Sequence, residues 1–376
     1  MPGNLISKSA RWLAVAATIG MFLVLMMGAT VTNTGSAEGC GRSWPLCHGE
    51  FIPEFAVETA IEYGHRLVTG VEGILIAALA VVGFVGYRQR IEMRVLVPVM
   101  IFFLLLQSGL GAAAVLWPQH PAVMALHFGI SLTAFASTLL AAVFIRDLHG
   151  AEVVRDRPLP PRFRAFAFGT LGYTYVLVYI GAYVRRANAN LACGGWPLCN
   201  GEVFPGFSGP VGIAFAHRLA ALVGGLLLVA LVVWAFRFRA IRPDIFRGSV
   251  AALVLIVAQS LSGAFVVWSE LNVFTTISHG GIATLLFGSL SYVCYQAIPR
   301  PAGAEAPVTA EAGSSRPATR PARSGRARPA RPHSPSASRA SPSSPGSAAA
   351  RPARSPRERR YTTGYRRCRS VRYRRV

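Results

Sequence analysis

Apolar residues run in long stretches through the first 300 positions, separated by shorter polar connections. A helix needs about 20 predominantly apolar residues to cross the hydrocarbon core of a bilayer. Eight stretches reach that length, at roughly 11–32, 63–87, 95–116, 122–145, 164–186, 211–236, 248–268 and 274–298. The first is too long for a cleavable secretory signal and has a membrane counterpart in 164–186, so it is kept as a span. The pattern predicts an all-α membrane protein of eight transmembrane helices.

The connections alternate in charge. One side carries Lys8 and Arg11, then Arg88, Arg90 and Arg94, then Arg146, Arg155, Arg157, Arg162 and Arg164, and finally Arg237, Arg239, Arg242 and Arg247. The other carries Glu38, Glu50, Glu54, Glu58 and Glu202 with few bases. Cationic loops stay in the cytoplasm. Both termini are therefore expected to be cytoplasmic, with the connections near 33–62 and 187–210 facing outward.

Composition agrees. The chain is 52% apolar and 14% charged, where an ordinary soluble domain carries about a quarter charged residues. Six cysteines in 376 residues exclude a small disulfide-stapled scaffold. Residues 301–376 hold 18 of the 38 Lys+Arg and 3 of the 16 Asp+Glu, hence +15 of the net charge of +22. This Arg/Pro/Ser-rich segment has too few apolar residues to build a core and is expected to be a disordered cytoplasmic tail, with anionic lipid headgroups as its available contact. The basic balance is therefore no argument for nucleic-acid binding.

Polar landmarks repeat in register. Cys47 and Cys199, His65 and His217, Gln107 and Gln259, and His127 and His279 are each 152 residues apart. Gly28 with Gly181 and Cys40 with Cys193 are 153 apart. WPLCHGE at 44–50 returns as WPLCNGE at 196–202, and HRL at 65–67 as HRL at 217–219. This is a tandem duplication. Each copy has four spans, an even number, so both insert with the same orientation. The expected architecture is two four-helix bundles, 1–150 and 151–300, related by a pseudo-twofold along the membrane normal.

His65, His127, His217 and His279 open the four even-numbered spans, which places all four imidazoles at one depth near the outer side. Ionisable groups within spans are rare and usually functional. Two imidazoles per bundle, surrounded by Gly, Ala and Ser as in GHRLVTGVEG (64–73) and SHGGIATLL (278–286), suit a bis-histidine heme in an apolar slot. Zinc or copper would call for further ligands at short spacing. The plainer alternative is an interhelical hydrogen-bonding role for each histidine. His48, His120, His149 and His333 lack a counterpart and read as loop or tail residues.

Arg66 and Arg218 each follow a candidate ligand, placed to meet a heme propionate or to snorkel to headgroups. Glu62 lies three residues before His65 on the same helical face, and its counterpart is Ala214. That asymmetry suggests chemistry in the first half and electron transfer in the second; the alternative is a carboxylate placed by the helix dipole. Cys40 with Cys47, and Cys193 with Cys199, lie in outward loops, where structural disulfides, redox-active thiols or metal-carrying thiols are all open. Cys294 and Cys368 read as free.

TGSAEGCGRSWPLCHGE (34–50), IEYGHRLVTG (61–70), the His127 segment, CGGWPLCNGE (193–202), AHRLAAL (216–222) and SHGGIATLL (278–286) together resemble the bacterial heme A synthase family over residues 10–298. The resemblance implies an integral membrane oxidoreductase that converts the C8 methyl of heme O to a formyl group, by way of an alcohol and a gem-diol. It implies heme O as substrate held by His65 and His127, a resident heme b held by His217 and His279, and Glu62 as the catalytic carboxylate. The two cysteine pairs match the family's outer-loop disulfides. A heme O synthase as supplier and terminal oxidase assembly as destination follow from the same resemblance. Two rivals remain at this point: a non-catalytic diheme cytochrome drawing electrons from quinol, and a transporter using the histidines as a relay.

Overall fold

The computed structural model of the chain describes residues 2–117, 121–148, 155 and 157–299. The expectations for the tail, His120, His149, His333 and Cys368 lie outside the described residues. Among the described residues eight α-helices form one compact unit: α1 (Pro2–Thr34), α2 (Val57–Tyr87), α3 (Ile91–Leu116), α4 (Pro121–Leu148), α5 (Pro161–Arg186), α6 (Gly209–Phe236), α7 (Pro243–Trp268) and α8 (Val273–Ala297). All eight are long and apolar enough to cross a membrane. No strand longer than an isolated bridge occurs among the described residues.

The helix contacts carry the duplication into three dimensions. In the first half α1 touches α2 and α4, and α3 touches α2 and α4. In the second half α5 touches α6 and α8, and α7 touches α6 and α8. Between the halves α1 meets α8, α4 meets α5, and α4 meets α8. Exchanging the halves turns the α1–α8 contact into α5–α4 and leaves α4–α8 unchanged, as a pseudo-twofold requires. Each half has its own apolar core. One is built on α1–α4, with Phe287 and Tyr295 added from α8. The other is built on α5–α8 around Phe163, Leu228, Leu231 and Leu290. The central helix α4 is the most enclosed of the eight. Its Phe135 lies against Gly288 of α8, where a Cβ would come within 2.9 Å of the ring.

The two disulfide loops are also copies. Each contains a cis Trp–Pro bond, Trp44–Pro45 and Trp196–Pro197. Each closes with a two-residue antiparallel bridge, Cys47 to Glu50 and Cys199 to Glu202. His48 and Asn200 occupy the same left-handed conformation, φ 53° and 54°. His48 is thus a loop residue, and its ring nitrogen pairs with Gly39 O.

The helices begin earlier than hydropathy alone places them. The α2 helix starts at Val57 rather than near 63 and α6 at Gly209 rather than 211, because their first turns are polar or Gly/Pro-rich and dilute the apolar signal. The histidines therefore do not open their spans: His65 and His217 lie beyond the second turn, and His127 and His279 in the second. At the opposite end, several cations expected in solvated loops are packed. Arg242 is 1% exposed, donating to Asp244, Arg157 O and Gln296 O. Arg155 pairs with Glu92 and stacks on Tyr295.

Candidate functional site

Each candidate histidine rests on a glycine of the preceding helix. A Cβ built on Gly28 (α1) would lie 3.3 Å from His65 Cε1, and one on Gly111 (α3) 3.7 Å from His127 Cε1. In the second half the distances are 2.9 Å from Gly181 (α5) to His217 and 3.2 Å from Gly263 (α7) to His279. The absence of a side chain at these four points lets the imidazoles approach the neighbouring backbone closely while lining a common space. These glycines repeat as the histidines do, Gly28 and Gly181 at an offset of 153 and Gly111 and Gly263 at 152. Only the structure shows that they are platforms.

All four imidazoles line one cavity of about 1720 Å³ that runs through both halves. Each half contributes both of its histidines to the lining of this cavity. Nδ1 of His65, His127 and His217 is buried without a hydrogen-bond partner. His279 differs: its Nε2 pairs with Gln259 Nε2 at 3.0 Å and its Nδ1 with Ser262 Oγ at 2.8 Å. Gln107, the counterpart of Gln259, instead contacts Met21 Sδ. No group of three or more His, Cys, Asp and Glu side chains suited to a bare metal ion occurs among the described residues. Three imidazoles with an unpartnered ring nitrogen, a fourth held by the exchangeable side-chain contacts of Gln259 and Ser262, glycines against all four and a large shared cavity fit a planar bis-histidine iron group.

Glu62 sits inside α2, past its first turn, so the helix dipole is not its principal partner. The carboxylate is 4% exposed. Arg66 Nη2 donates to its Oε1 at 2.5 Å, and the backbone N–H of Cys40 donates to its Oε2 at 2.7 Å. Arg66 Nη1 also donates to Ser43 O and Leu46 O, at 2.7 and 2.9 Å. Glu62 and Arg66 together clasp the Cys40–Cys47 disulfide loop onto α2. In the second half Ala214 is buried beside the Cys193–Cys199 disulfide. With no carboxylate to engage, Arg218 spends its donors on Cys193 O, Gly195 O and Leu198 O. Both arginines border the cavity, but neither snorkels: their guanidiniums are committed to loop carbonyls. Both cysteine pairs are disulfide-bonded, and Cys294 is buried and free.

Three cavity-lining cations escaped the sequence reading, Arg42 in the first disulfide loop and two on α5. Arg185 and Arg186 end α5 and border the same space. The signal for them was present: they are two bases at the end of a span that otherwise carries few.

The fold and site define a polytopic membrane protein made of two histidine-bearing four-helix repeats around one cavity. A family model described as cytochrome oxidase assembly protein matches residues 10–291. The heme A synthase of Symbiobacterium thermophilum is 43% identical over 298 residues, 78% of this chain and 96% of its own. The heme A synthase of Geobacillus kaustophilus is 39% identical over 316 residues, covering 83% and 99%. That of an Exiguobacterium species is 42% identical over 281 residues, covering 74% and 90%. The chain belongs to the heme A synthase family of cytochrome oxidase assembly proteins, as its motifs anticipated.

Proposed function

We propose that this chain is a membrane oxidoreductase that oxidises the C8 methyl of heme O to the formyl group of heme A. The observation that carries the reading is an asymmetry between otherwise duplicated sites. Both histidine pairs line one cavity, but a buried carboxylate, Glu62, stands beside only the first. Residues 1–150 would then hold the substrate through His65 and His127. Residues 151–300 would hold heme b through His217 and His279. When bound, heme b supplies one-electron redox chemistry that side chains lack.

The chain's own residues position and tune. The glycine platforms make room for the imidazoles. The first disulfide loop covers the substrate end and excludes water. Glu62, oriented through both oxygens, accepts a proton from the reacting methyl or stabilises positive charge developing on it, which a fixed carboxylate does well in a low-dielectric site. Arg66 and Arg218 would meet propionates only through donors not already given to the loops. Charge placement supports cytoplasmic termini and an outward-facing cavity mouth. A heme O synthase then supplies the substrate, and terminal oxidase assembly receives the product.

The test is heme extraction and chromatography from Glu62→Gln co-expressed with a heme O synthase. The expected result is retained heme with accumulation of heme O or its alcohol. Wild-type heme A yield in that variant would overturn the role of Glu62. Heme B alone in both sites of the wild type would favour the diheme cytochrome.

A further inference from the structure

A substrate site must catch and release a tetrapyrrole, whose carboxylate side chains are its only permanent charges at the periphery. The cations nearest the histidines in sequence, Arg66 and Arg218, are held by loop carbonyls. Arg185 and Arg186 are not. Both are half-buried and line the cavity, and neither has a hydrogen-bond or ion-pair partner among the described residues. Arg42 also borders the cavity, but from an exposed loop position.

Arg186 belongs to the second repeat by sequence, yet its helix packs against α4 of the first. The α5 helix is docked on α4: Tyr175 Oη contacts Thr133 Oγ1 and donates to Gly129 O, both at 3.1 Å. Tyr179 covers Gly129, leaving no room for a Cβ there. Gly129 lies two residues beyond His127. Arg186 follows Tyr179 by seven residues, two turns along the same face of α5 and about 10 Å nearer the loop end. That helix end and His127 line the same cavity.

The duplication supplies the contrast. At the 153-residue offset, Arg186 corresponds to Asn33 and Arg185 to Thr32, both of which line the cavity without charge. Asn33 turns its amide back to Ala29 O. Two bases at an outward-facing helix end also run against the charge bias of this chain, so topology does not account for them.

We propose that Arg186, assisted by Arg185, binds the propionate carboxylates of the heme held by His65 and His127, and so distinguishes the exchangeable substrate site from the resident one. The assignment rests on the first-half pair being the substrate site. Arginine is suited to it, because a guanidinium meets a carboxylate through two parallel hydrogen bonds.

The test uses the full chain in detergent with its second-half heme in place, titrated with heme O and with heme O dimethyl ester. Absorbance that vanishes in His65→Ala reports the first-half site. Arg185→Gln/Arg186→Gln should weaken heme O binding there by about tenfold or more, with Arg186→Lys intermediate and the second-half heme unchanged. The ester, which carries no carboxylate, should bind the wild type as weakly as heme O binds the double variant. Equal binding of heme O and its ester to the wild type overturns the arginine assignment whether or not the variant folds, as does wild-type affinity in the double variant. Absence of any His65-dependent signal in the wild type instead overturns the substrate-site reading, and this inference with it.

Discussion

Gly181 on α5 is the floor beneath His217 on α6: a methyl group there would lie 2.9 Å from the imidazole Cε1, closer than real Cβ contacts come. The equivalent spacing from Gly28 to His65 is 3.3 Å, which a shift of a few tenths of an ångström relieves. Gly181→Ala should therefore displace His217 and empty the heme site proposed for the second half, whereas Gly28→Ala should weaken the one proposed for the first without abolishing it. Heme content per chain after purification checks both. Full heme occupancy in Gly181→Ala would show that the platform is not needed.

The Glu62–Arg66 pair makes the two loop clasps unequal. Arg66→Ala leaves a carboxylate buried without its cation, a situation that costs about 3–5 kcal/mol. Arg218→Ala removes hydrogen bonds from a charged donor but strands no charge, at about 1.5–3 kcal/mol. Thermal unfolding in detergent should place Arg66→Ala below Arg218→Ala. Glu62→Ala combined with Arg66→Ala should recover part of the loss, and a double variant less stable than Arg66→Ala alone would contradict the pairing.

The duplication, the eight spans and the four histidines were legible because polar groups in a membrane sequence are scarce and keep register across 152 residues. The glycine platforms were not. A glycine in a span reads as a generic close-packing residue, and nothing in the string says which side chain it admits. The Glu62–Arg66 pair has ordinary i,i+4 spacing, but reading α2 from residue 63 left Glu62 at the edge of the helix and hid its partner. Arg185 and Arg186 were absorbed into the end of a span, where an arginine draws no notice until a cavity is seen beside it.

Glu72 and Gly20 form a second unequal pair. Glu72 is 1% exposed, and both its carboxyl oxygens lack a hydrogen-bond partner. Its Oε2 occupies the space a Cβ on Gly20 would need. At the repeat offsets Gly20 corresponds to Tyr173 and Glu72 to Gly224, so the large group has changed helices. Tyr173 lies against Gly224 and donates to Ala220 O at 2.8 Å. Gly20→Ala should destabilise by about 1–3 kcal/mol through overpacking, and the loss should shrink when Glu72→Gly is also present. A double-mutant cycle on thermal unfolding measures this coupling. Simple additivity would mean that the carboxyl can move aside freely.

The two disulfides should also differ in what they protect. In the second loop, Asn200 accepts from Gly194 N–H at 2.7 Å and donates to Ala192 O at 3.1 Å, while Arg218 gathers carbonyls on both sides of the crosslink. Those ties persist when the Cys193–Cys199 bond is removed. In the first loop the Cys40 N–H itself orients Glu62, so releasing Cys40 disturbs the carboxylate as well as the lid. Cys40→Ser with Cys47→Ser should therefore lower heme A yield more than Cys193→Ser with Cys199→Ser. Retention of the heme proposed for the second half in both variants separates this effect from misfolding. Equal loss of product from the two variants would mean that the first loop has no privileged link to the reacting end of the cavity.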